Sequence, residues 1–599
     1  MRDRRGPIAA VLTVLAAGAV LAADTYAPAP MTPPEPAVVV ASGEPVAGSF
    51  VCGVGDAAQD EVSLIAARPV GGGASPAQLD RQRFAEGTLR VETEPPIFPG
   101  SASTTSFGPG DDDAADAPDV AEQDLAGTWV AWRDAPVTAW REWHVEDHDE
   151  LPDATVAGAC AAPSSDRWIV PGLSTEGGEE ARLRLTNPFP GSATVAVGFL
   201  TPEGAEGPLV LRNITVPARS VREIVVNDTL PERADLTAVV EVASGRMSVE
   251  GVQIARSAIG GIDGASLLQA APEAAEEWTV PWVSDDDTTS SWLWIANPGQ
   301  RTAPVELILH TPDGGELPEG LAEVSVPPGE MRRVDLTGTF PEDVTVAGVS
   351  ARSNGAPIVV SAGTTVSADD PAATGIAVQL GAIAPDRSWV ISGGTAEGRT
   401  EALHVVNPTG AEAVVDIALF NGVASLQPAA LQDLVVGAGS SVVVDLDEVL
   451  DERSAWSAFV TTSSGQVVVG RVGRSTLEGL DEDPDDGDDE AEDDEADEGE
   501  DDDRGDEEAE DEAGADSASD SLRLVVAPGV PSSAWTSRGA GLAAVGTDGL
   551  VRHLRTAVGI GAPTGLEVPG EPEQPELEQP DPEQPEPEQP DPDAGDAGT

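Results

Sequence analysis

The sequence predicts an all-β chain built from tandem immunoglobulin-like β-sandwich domains. The first observation is a segment that recurs about every 110 residues, close to the size of one small sandwich domain. The second is a series of short runs with apolar residues, separated by turn residues at about every 8 to 12 positions. The third is that no long helix is needed between these runs, which disfavours a parallel α/β fold.

The first 23 residues have the pattern of a targeting segment. Three arginines lie within the first five residues, ahead of the apolar run from Ile8 to Ala23. This run is long for the core of a signal peptide and short for a membrane span of about 20 residues. Residues 1–23 are therefore expected to be a signal peptide or a membrane anchor, with both alternatives open, and the rest of the chain to be exported. Residues 24–47, rich in Pro and Ala, are expected to be a spacer.

Residues 48–163 are predicted to form an irregular β domain. Strand-like runs near its start and its end carry the two cysteines of the chain, Cys52 and Cys160. In an exported chain these cysteines are expected to form a disulfide that holds the first and last strands together. Two buried free thiols are the alternative, whereas a metal site needs more ligands nearby than the sequence offers.

Three sandwich repeats are predicted to follow, at residues 164–274, 275–385 and 386–531. Each opens with a tryptophan on an apolar run and reaches an Asn-Pro pair about nineteen residues later. These repeat markers are Trp168, Asn187, Pro188, Trp278, Asn297, Pro298, Trp389, Asn407 and Pro408. The Asn-Pro pair is expected to end a strand, because proline cannot donate to a ladder and restricts the residue before it. The identical place of the tryptophan in each repeat predicts a core role rather than sugar binding.

The first of these repeats shows the strand pattern best. Alternating residues predict a strand from Arg182 to Thr186, and further strands are predicted from Thr194 to Leu200 and from Leu209 to Val216. A hairpin is predicted around Ser244-Gly245, with counterparts in the other two repeats.

The acidic run at residues 481–520 lies between the last two predicted strands of the third repeat. Its composition predicts a disordered insertion in a surface loop, which costs only ~0.6 kcal/mol of closure entropy for each doubling of loop length. Residues 532–566 are only weakly strand-like. Residues 567–599 form a Pro/Glu/Gln-rich tail that is expected to be disordered and extended.

Charge limits the partners that the chain is expected to bind. The formal net charge is −74, and every side-chain cation other than histidine is arginine, since the chain has no lysine. Such a surface repels nucleic acid and anionic lipid, so no nucleic acid is expected as a partner and membrane contact is expected only through the N-terminal segment. The acidic run suits weak, diffuse binding of divalent cations, and no cofactor is expected.

No constellation of catalytic or metal-binding residues is predicted. Of the five histidines, only His144 and His148 are four positions apart, which on a helix would suit zinc. Their region is predicted as strand or loop, which disfavours that site. Nucleophile elbows, phosphate loops and nucleotide fingerprints are not found in a strand-to-helix setting. The chain is therefore not expected to be an enzyme.

The combined motifs resemble a known kind of family. They are the Trp-Val-Pro-Gly-like opening, the Leu-x-Leu-x-Asn-Pro strand end, the Val-x-Val-Pro-x-Gly turn and the Ser-Ser-Gly-x-Val hairpin. Over about Gly48 to Pro531, the chain resembles an uncharacterised domain-of-unknown-function family of secreted actinobacterial proteins with immunoglobulin-like β-sandwich repeats. These motifs are structural turns, so the resemblance implies a fold and no catalytic residues.

The functional expectation is an exported, non-catalytic scaffold or adhesion protein of the cell envelope. It would be secreted or membrane-anchored on the extracellular face of a bacterial envelope, with an envelope protein or a glycan as its partner. The alternative is an accessory factor in envelope polysaccharide assembly that binds glycan or a membrane enzyme.

Overall fold

The structure is a computed structural model of the chain, and it describes most of residues 47–531. The segments left undescribed within that range are 54–60, 71–74, 86–87, 108–126, 146–151, 153, 162–164, 257–262, 319, 322–323, 367–374, 395–398, 448, 451–454 and 476–522. The targeting segment, nearly all of the spacer, the acidic insertion 481–520, residues 532–566 and the tail lie outside the described residues, as does His148. Their assignments remain predictions.

The all-β prediction is confirmed. The described residues form 36 β-strands, and their only helical elements are three single 3-10 turns, Leu209–Leu211, Val226–Asp228 and Ala429–Leu431. All of the strand pairs are antiparallel, as expected for a sandwich built from hairpins and short crossovers.

The strands fall into four units along the chain. Unit 1 contains β1 (Ala47–Gly53), β2 (Glu61–Arg68), β3 (Gln78–Ala85), β4 (Thr88–Thr93), β5 (Ser101–Phe107), β6 (Gly127–Arg133), β7 (Thr138–Val145) and β8 (Ala154–Ala159). Unit 2 contains β9 (Arg167–Leu173), β10 (Glu179–Asn187), β11 (Ala193–Thr201), β12 (Gly204–Glu206), β13 (Ile214–Val216), β14 (Ser220–Val225), β15 (Leu236–Ser244), β16 (Ser248–Ala255) and β17 (Gly264–Gln269).

The second half of the chain repeats this arrangement. Unit 3 contains β18 (Glu277–Ser284), β19 (Thr289–Ala296), β20 (Ala303–Thr311), β21 (Gly314–Glu316), β22 (Val324–Val326), β23 (Met331–Asp335), β24 (Val346–Ser353), β25 (Val359–Val366) and β26 (Gly375–Leu380). Unit 4 contains β27 (Ser388–Gly393), β28 (Arg399–Val406), β29 (Ala413–Phe420), β30 (Ser425–Leu426), β31 (Leu434–Val436), β32 (Ser441–Asp445), β33 (Trp456–Ser464), β34 (Val468–Ser475), β35 (Arg523–Pro528) and β36 (Val530–Pro531).

Each unit is a sandwich of two sheets with one strand order. The sheet that holds the first strand of the unit, called the leading sheet, has the orders β1-β6-β3-β4, β9-β15-β11-β12, β18-β24-β20-β21 and β27-β33-β29-β30. The sheet that holds the last long strand, called the central sheet, has the orders β5-β2-β7-β8, β14-β10-β16-β17, β23-β19-β25-β26 and β32-β28-β34-β35. Unit 1 is therefore a regular member of the series, although its sequence predicts an irregular domain.

Side-chain alternation explains the strands that face solvent on one side. In β11 and β29 buried and half-exposed residues alternate over six or more positions, so one face of each strand packs inside the sandwich. Strand β7 is different, because all eight of its residues are buried. A strand buried on both faces must be covered by something besides its own leading sheet.

The predicted strand from Leu209 to Val216 is wrong in its first half. Pro208 precedes a 3-10 turn in which Leu209 and Val210 are each 75% exposed, and only Ile214–Val216 forms a strand. The turn is held by Leu211, whose side chain is buried in the core of the unit. The apolar residues 209–211 lead to the prediction of a buried strand. In the structure only Leu211 is buried, and it anchors a turn whose other two residues are exposed.

The predicted hairpins lie between β15 and β16, β24 and β25, and β33 and β34. Gly465 has a φ of 75° in the last of them, a conformation that favours glycine. A Cβ atom at Gly465 would also lie 2.7 Å from the Cα atom of Ala413. The tight turn therefore requires glycine for two separate reasons.

The four units close into a ring. The last long strands meet in cyclic order: β8 contacts β17, β17 contacts β26, β26 contacts β35, and β35 contacts β8 again. The first strand of each unit packs on the central sheet of the next unit, β1 on β10, β9 on β25, β18 on β34, and β27 of unit 4 on β7 of unit 1. Each contact is thus head-to-tail, and the fourth returns to the start of the chain.

The apolar cores continue across the boundaries between units, which we call seams. One cluster joins units 1 and 2, the largest joins units 2 and 3, another joins units 3 and 4, and a fourth brings Trp140 of unit 1 against Trp389 and its neighbours in unit 4. Burial at the seams explains why β7 has no exposed face, because Trp140 packs against unit 4 and Trp143 packs against unit 2. The repeats are therefore parts of one packed assembly.

Candidate interaction site

The repeat tryptophans lie in the cores of their units. Trp168, Trp278 and Trp389 are buried, and the indole Nε1–H of each donates to a backbone carbonyl oxygen, that of Met247, Ile358 and Val467 at 3.2, 2.7 and 2.8 Å. A buried indole that satisfies its one donor in this way is a packing element. None of the three rings offers a face to a sugar.

The repeat asparagines tie a turn to a neighbouring strand. The Nδ2 group of Asn407 donates to the carbonyl oxygens of Ala411, Val436 and Gly437 at 2.7 to 3.0 Å, and its Oδ1 accepts from the backbone N–H of Thr409. Asn187 and Asn297 make the same kind of bonds in their own units. These side chains are fully buried, so they hold the fold and contact no partner.

Unit 1 has its own counterparts of the markers, which the repeat motifs did not reveal. The β-bridge between Val51 and Ala161 in unit 1 corresponds to the β-bridge between Ile169 and Ala271 in unit 2. Trp168 directly precedes Ile169, and Phe50 directly precedes Val51, so Phe50 occupies the position of the tryptophan in unit 1. Ala67 pairs with Thr138 in the same way that Thr186 pairs with Ser248. Arg68-Pro69 therefore stands where the other units have Asn-Pro. The spacing of Phe50 and Pro69 is the signal that would have revealed a fourth repeat.

The predicted disulfide between Cys52 and Cys160 is confirmed. The two Cα atoms are 4.8 Å apart, and the bond ties β1 to the residue that follows β8. The disulfide joins residues 108 positions apart. In the chain-entropy account, a cross-link over a loop of this length raises the free energy of unfolding by about 4.7 kcal/mol. The bond joins the two sheets of the one unit that lacks the tryptophan and the asparagine.

Histidines lie at the seam between units 3 and 4. His310 Nδ1 donates to the carbonyl oxygen of Gly439 at 2.8 Å, and its Nε2 accepts from the Ser350 hydroxyl at 2.7 Å. His404 Nδ1 donates to the carbonyl oxygen of Pro281. Burial lowers the pKa of His310 and lowers that of His404 to about 4, against the opposing effect of the hydrogen bonds. Both rings are therefore neutral parts of the seam at pH 7.

A buried ionic cluster closes the ring between units 4 and 1. Arg471 is fully buried and contacts Glu142 of unit 1 and Glu401 of its own unit, each at 2.6 Å. Burial alone would lower the pKa of Arg471, but the two carboxylates outweigh it and hold this pKa above its ordinary value. His144, four positions from His148 in the sequence, lies 3.3 Å from Glu142. No group of three or more His, Cys, Asp or Glu residues in the described ranges is arranged to hold a metal ion.

The seam between units 1 and 2 also uses a buried arginine. Arg141 donates to both carboxylate oxygens of Glu250 at 3.1 and 3.0 Å. At the seam between units 2 and 3, the indole of Trp294 donates to Asp235 at 2.7 Å. Directed polar contacts of this kind fix the orientation of one unit on the next. The buried arginines Arg141 and Arg471 thus each have a structural partner across a seam.

A cleft lies beside the seam between units 3 and 4. It has a volume of about 510 Å³ and is lined by Glu276, Glu277, Pro304, Glu306, Arg352, Ser353 and Asn354. Arg352 is held by Glu277 at 2.8 Å and reaches the carbonyl oxygen of Pro408 at 3.3 Å. The Ser353 hydroxyl is buried and has no hydrogen-bond partner among the described residues. Carboxylates, a serine and an arginine suit hydroxyl-rich ligands as hydrogen-bond partners.

The protein is therefore a ring of four β-sandwiches, in which shared apolar cores and buried ion pairs hold neighbouring units together. The chain belongs to the family of unknown function DUF5719, whose model matches residues 114–385 and again residues 341–489. These matches reach all four units, and the predicted resemblance to an uncharacterised family is confirmed. No curated protein matches the chain. The described part of the chain contains no helix with the length and hydrophobicity needed to span a membrane.

Proposed function

We propose that the protein is an exported scaffold or adhesion protein of the bacterial cell envelope and has no catalytic activity. The observation that carries this proposal is the closed ring. Because the units use their apolar faces against one another, the surface left for partners consists of outer strand edges and loops, the parts with which sandwich proteins commonly bind.

Exposed apolar side chains on these outer edges support a binding role. Leu209 and Val210 project from the edge of unit 2, Leu317 from unit 3, and Val423 and Val435 from unit 4. All five are more than half exposed, and they lie at or beside the short strands that end the leading sheets of units 2, 3 and 4. Such apolar groups on an acidic, soluble surface suit contact with another protein.

Cell fractionation tests the export part of this proposal. The full chain, expressed in an actinobacterial host, is expected in the envelope or the medium, and a chain that lacks residues 1–23 is expected in the cytoplasm. Sequencing the N-terminus of the mature protein separates a cleaved signal from a retained anchor. Recovery of the intact full chain from the cytoplasm alone would contradict the proposal.

The alternative role in polysaccharide assembly is favoured by the cleft near Arg352. Its carboxylates Glu276 and Glu306 are exposed and suit sugar hydroxyls. Titration calorimetry with envelope glycan fragments tests it: E276Q/E306Q should weaken binding at least tenfold, whereas E273Q, an exposed neighbour outside the cleft, should not. If none of the fragments gives a heat of binding, the alternative role is contradicted and only the scaffold role remains proposed.

A further inference from the structure

Strand β4 of unit 1 differs from the outer edge of every other leading sheet. In units 2, 3 and 4 that edge is split into two strands of two or three residues, such as β12 and β13 with Pro208 between them. In unit 1 it is one unbroken strand of six residues, Thr88–Thr93, which pairs with β3 alone in the described part of the chain. Short edges are the usual protection against strand pairing between molecules, and β4 lacks it.

The outward backbone groups of β4 are identified by its pairing. The N–H of Glu94 donates to the carbonyl oxygen of Leu79, so the residues that bond to β3 are those at even positions. The N–H and C=O groups of Leu89, Val91 and Thr93 therefore point away from β3. Among the described residues these groups have no backbone partner.

The side chains of β4 are self-complementary about Val91. If a second β4 pairs antiparallel with Val91 opposite Val91, Arg90 of each copy lies opposite Glu92 of the other, an arrangement that favours pairing. A pairing centred on Arg90 or on Glu92 would instead oppose like charges. Within one copy, Glu92 already contacts Arg83 at 2.7 Å and Arg90 of its own strand at 3.1 Å, so a second strand would add an arginine to an existing ion pair. Arg90 is about half exposed, Glu92 is about one-third exposed, and Val91 is 43% exposed, so all three can still meet a partner strand.

We propose that β4 is a self-association edge, through which two copies of this chain pair antiparallel about Val91. The two leading sheets then form one continuous sheet across a twofold axis, with two Arg90–Glu92 pairs and a central Val91 contact. A twofold axis makes the same surface serve both partners, which is what a self-complementary strand provides. This inference does not depend on the proposed function, since it concerns association of the purified chain.

Salt dependence follows from the net charge. Two copies of a chain with a net charge of −74 repel one another, and this repulsion is screened within about 10 Å at 0.1 M salt. A single pair of six-residue strands buries less than the ~1,200 Å² of a standard interface, so the association is weak. We expect the dimer fraction to rise with salt and with protein concentration.

Sedimentation velocity on the full chain tests the proposal at protein concentrations from about 10 μM to 1 mM in 0.05 and 0.5 M salt. A reversible monomer–dimer equilibrium is expected at the higher salt. V91E should weaken association at least tenfold. V443E is the matched control, because Val443 is a 53% exposed valine on β32, the edge strand of the central sheet of unit 4, and the charge change is the same. Melting temperatures show whether each variant is folded.

A charge exchange tests the register. R90E sets a second carboxylate opposite Glu92 of the other copy, and E92R sets a second guanidinium opposite Arg90, so each variant alone should associate more weakly. An equimolar mixture of the two restores opposite charges at both positions, and fluorescence transfer between labelled copies should recover. If E92R fails to fold because Arg83 loses its 2.7 Å partner, the comparison of V91E with V443E still tests the proposal.

Three results would overturn the proposal. The first is a monomer at every concentration and salt tested. The second is equal weakening by V91E and V443E, which would mean that the contact lies elsewhere or that the added charge alone weakens association. The third is binding of a short extended peptide at β4 without self-association, which would identify a different occupant of the same edge.

Discussion

Asn297 illustrates how single residues hold this fold. Its amide donates to the carbonyl oxygens of Arg301 and Val326 at 2.7 and 2.9 Å, and its Oδ1 accepts from the N–H of Gly299. The side chain is fully buried, so water cannot replace these bonds. The sequence predicted a strand end at this position from the following proline, but nothing in it indicated that the amide links two segments that are distant in sequence.

Removal of this amide is expected to be costly. Asn297→Ala should lower the free energy of unfolding by about 2 to 4 kcal/mol, since buried backbone groups lose their partners. Asn421→Ala is the control, because Asn421 lies in an exposed turn and caps only the N–H groups of Val423 and Ala424. Urea unfolding measures the free energy of unfolding of both variants. An equal decrease in the two would contradict the prediction that the buried hydrogen bonds of Asn297 stabilise the fold more than the exposed ones of Asn421.

His404 makes stability depend on pH. Its pKa is about 4 in the folded chain, against about 6.5 in the unfolded chain, because burial disfavours the charged ring. The unfolded state therefore binds the proton first as the pH falls. The stabilisation is fully present above pH 6.5 and is lost as the pH falls to 4, by about 3 kcal/mol in total.

The variant His404→Gln isolates this contribution. Gln keeps a donor for the Pro281 carbonyl oxygen but does not titrate. The difference in unfolding free energy between the parent and H404Q should shrink as the pH is lowered from 7 to 4 in urea titrations. A difference that stays constant over this range would show that His404 is not buried as a neutral ring.

At the scale of elements, each unit closes by bringing its first strand near its last. In unit 1 the contact is the disulfide from Cys52 to Cys160. In unit 1 the cysteines are the residue after Val51 and the residue before Ala161, which form a β-bridge. In unit 4 Val390 pairs with Val530 in the same way, so Ile391 and Gly529 occupy the positions that correspond to Cys52 and Cys160. A Cβ atom at Gly529 would lie 3.0 Å from Cγ1 of Ile391. The same pair of positions thus holds a disulfide in unit 1 and an apolar contact between isoleucine and glycine in unit 4.

The double variant I391C/G529C is therefore expected to form a disulfide. It would close a loop longer than 100 residues and raise the free energy of unfolding by up to about 4 to 5 kcal/mol in the chain-entropy account. Thiol titration and mobility on non-reducing gels measure its formation, and I391C alone is the control. Two free thiols after air oxidation would contradict the equivalence of units 1 and 4.

At the scale of the whole molecule, the ring is the feature that the sequence did not predict. Repeats of tryptophan and Asn-Pro identified the sandwiches because these signals are local and periodic. The ion pair of Arg471 with Glu142 joins residues 329 positions apart, and neither residue belongs to a repeat motif. Contacts between small apolar strands such as β8 and β35 likewise carry no sequence pattern that distinguishes them from an ordinary core.

Loss of one unit should therefore disturb the others. A chain that begins at residue 165 lacks unit 1, and it exposes the apolar surface around Trp389 and leaves Arg471 without Glu142. We expect this chain to aggregate or to melt well below the full chain, in size-exclusion chromatography and calorimetry. A soluble monomer with an unchanged melting temperature would indicate independent modules.

The head-to-tail contact has a geometric consequence for the number of units. The same kind of surface joins unit 1 to unit 2 and unit 4 to unit 1, so four successive steps return to the start of the ring. A repeat of such steps either returns to its origin or runs on as a filament. A chain with one unit duplicated or deleted is therefore expected to leave one face at each end open to other molecules and to polymerise.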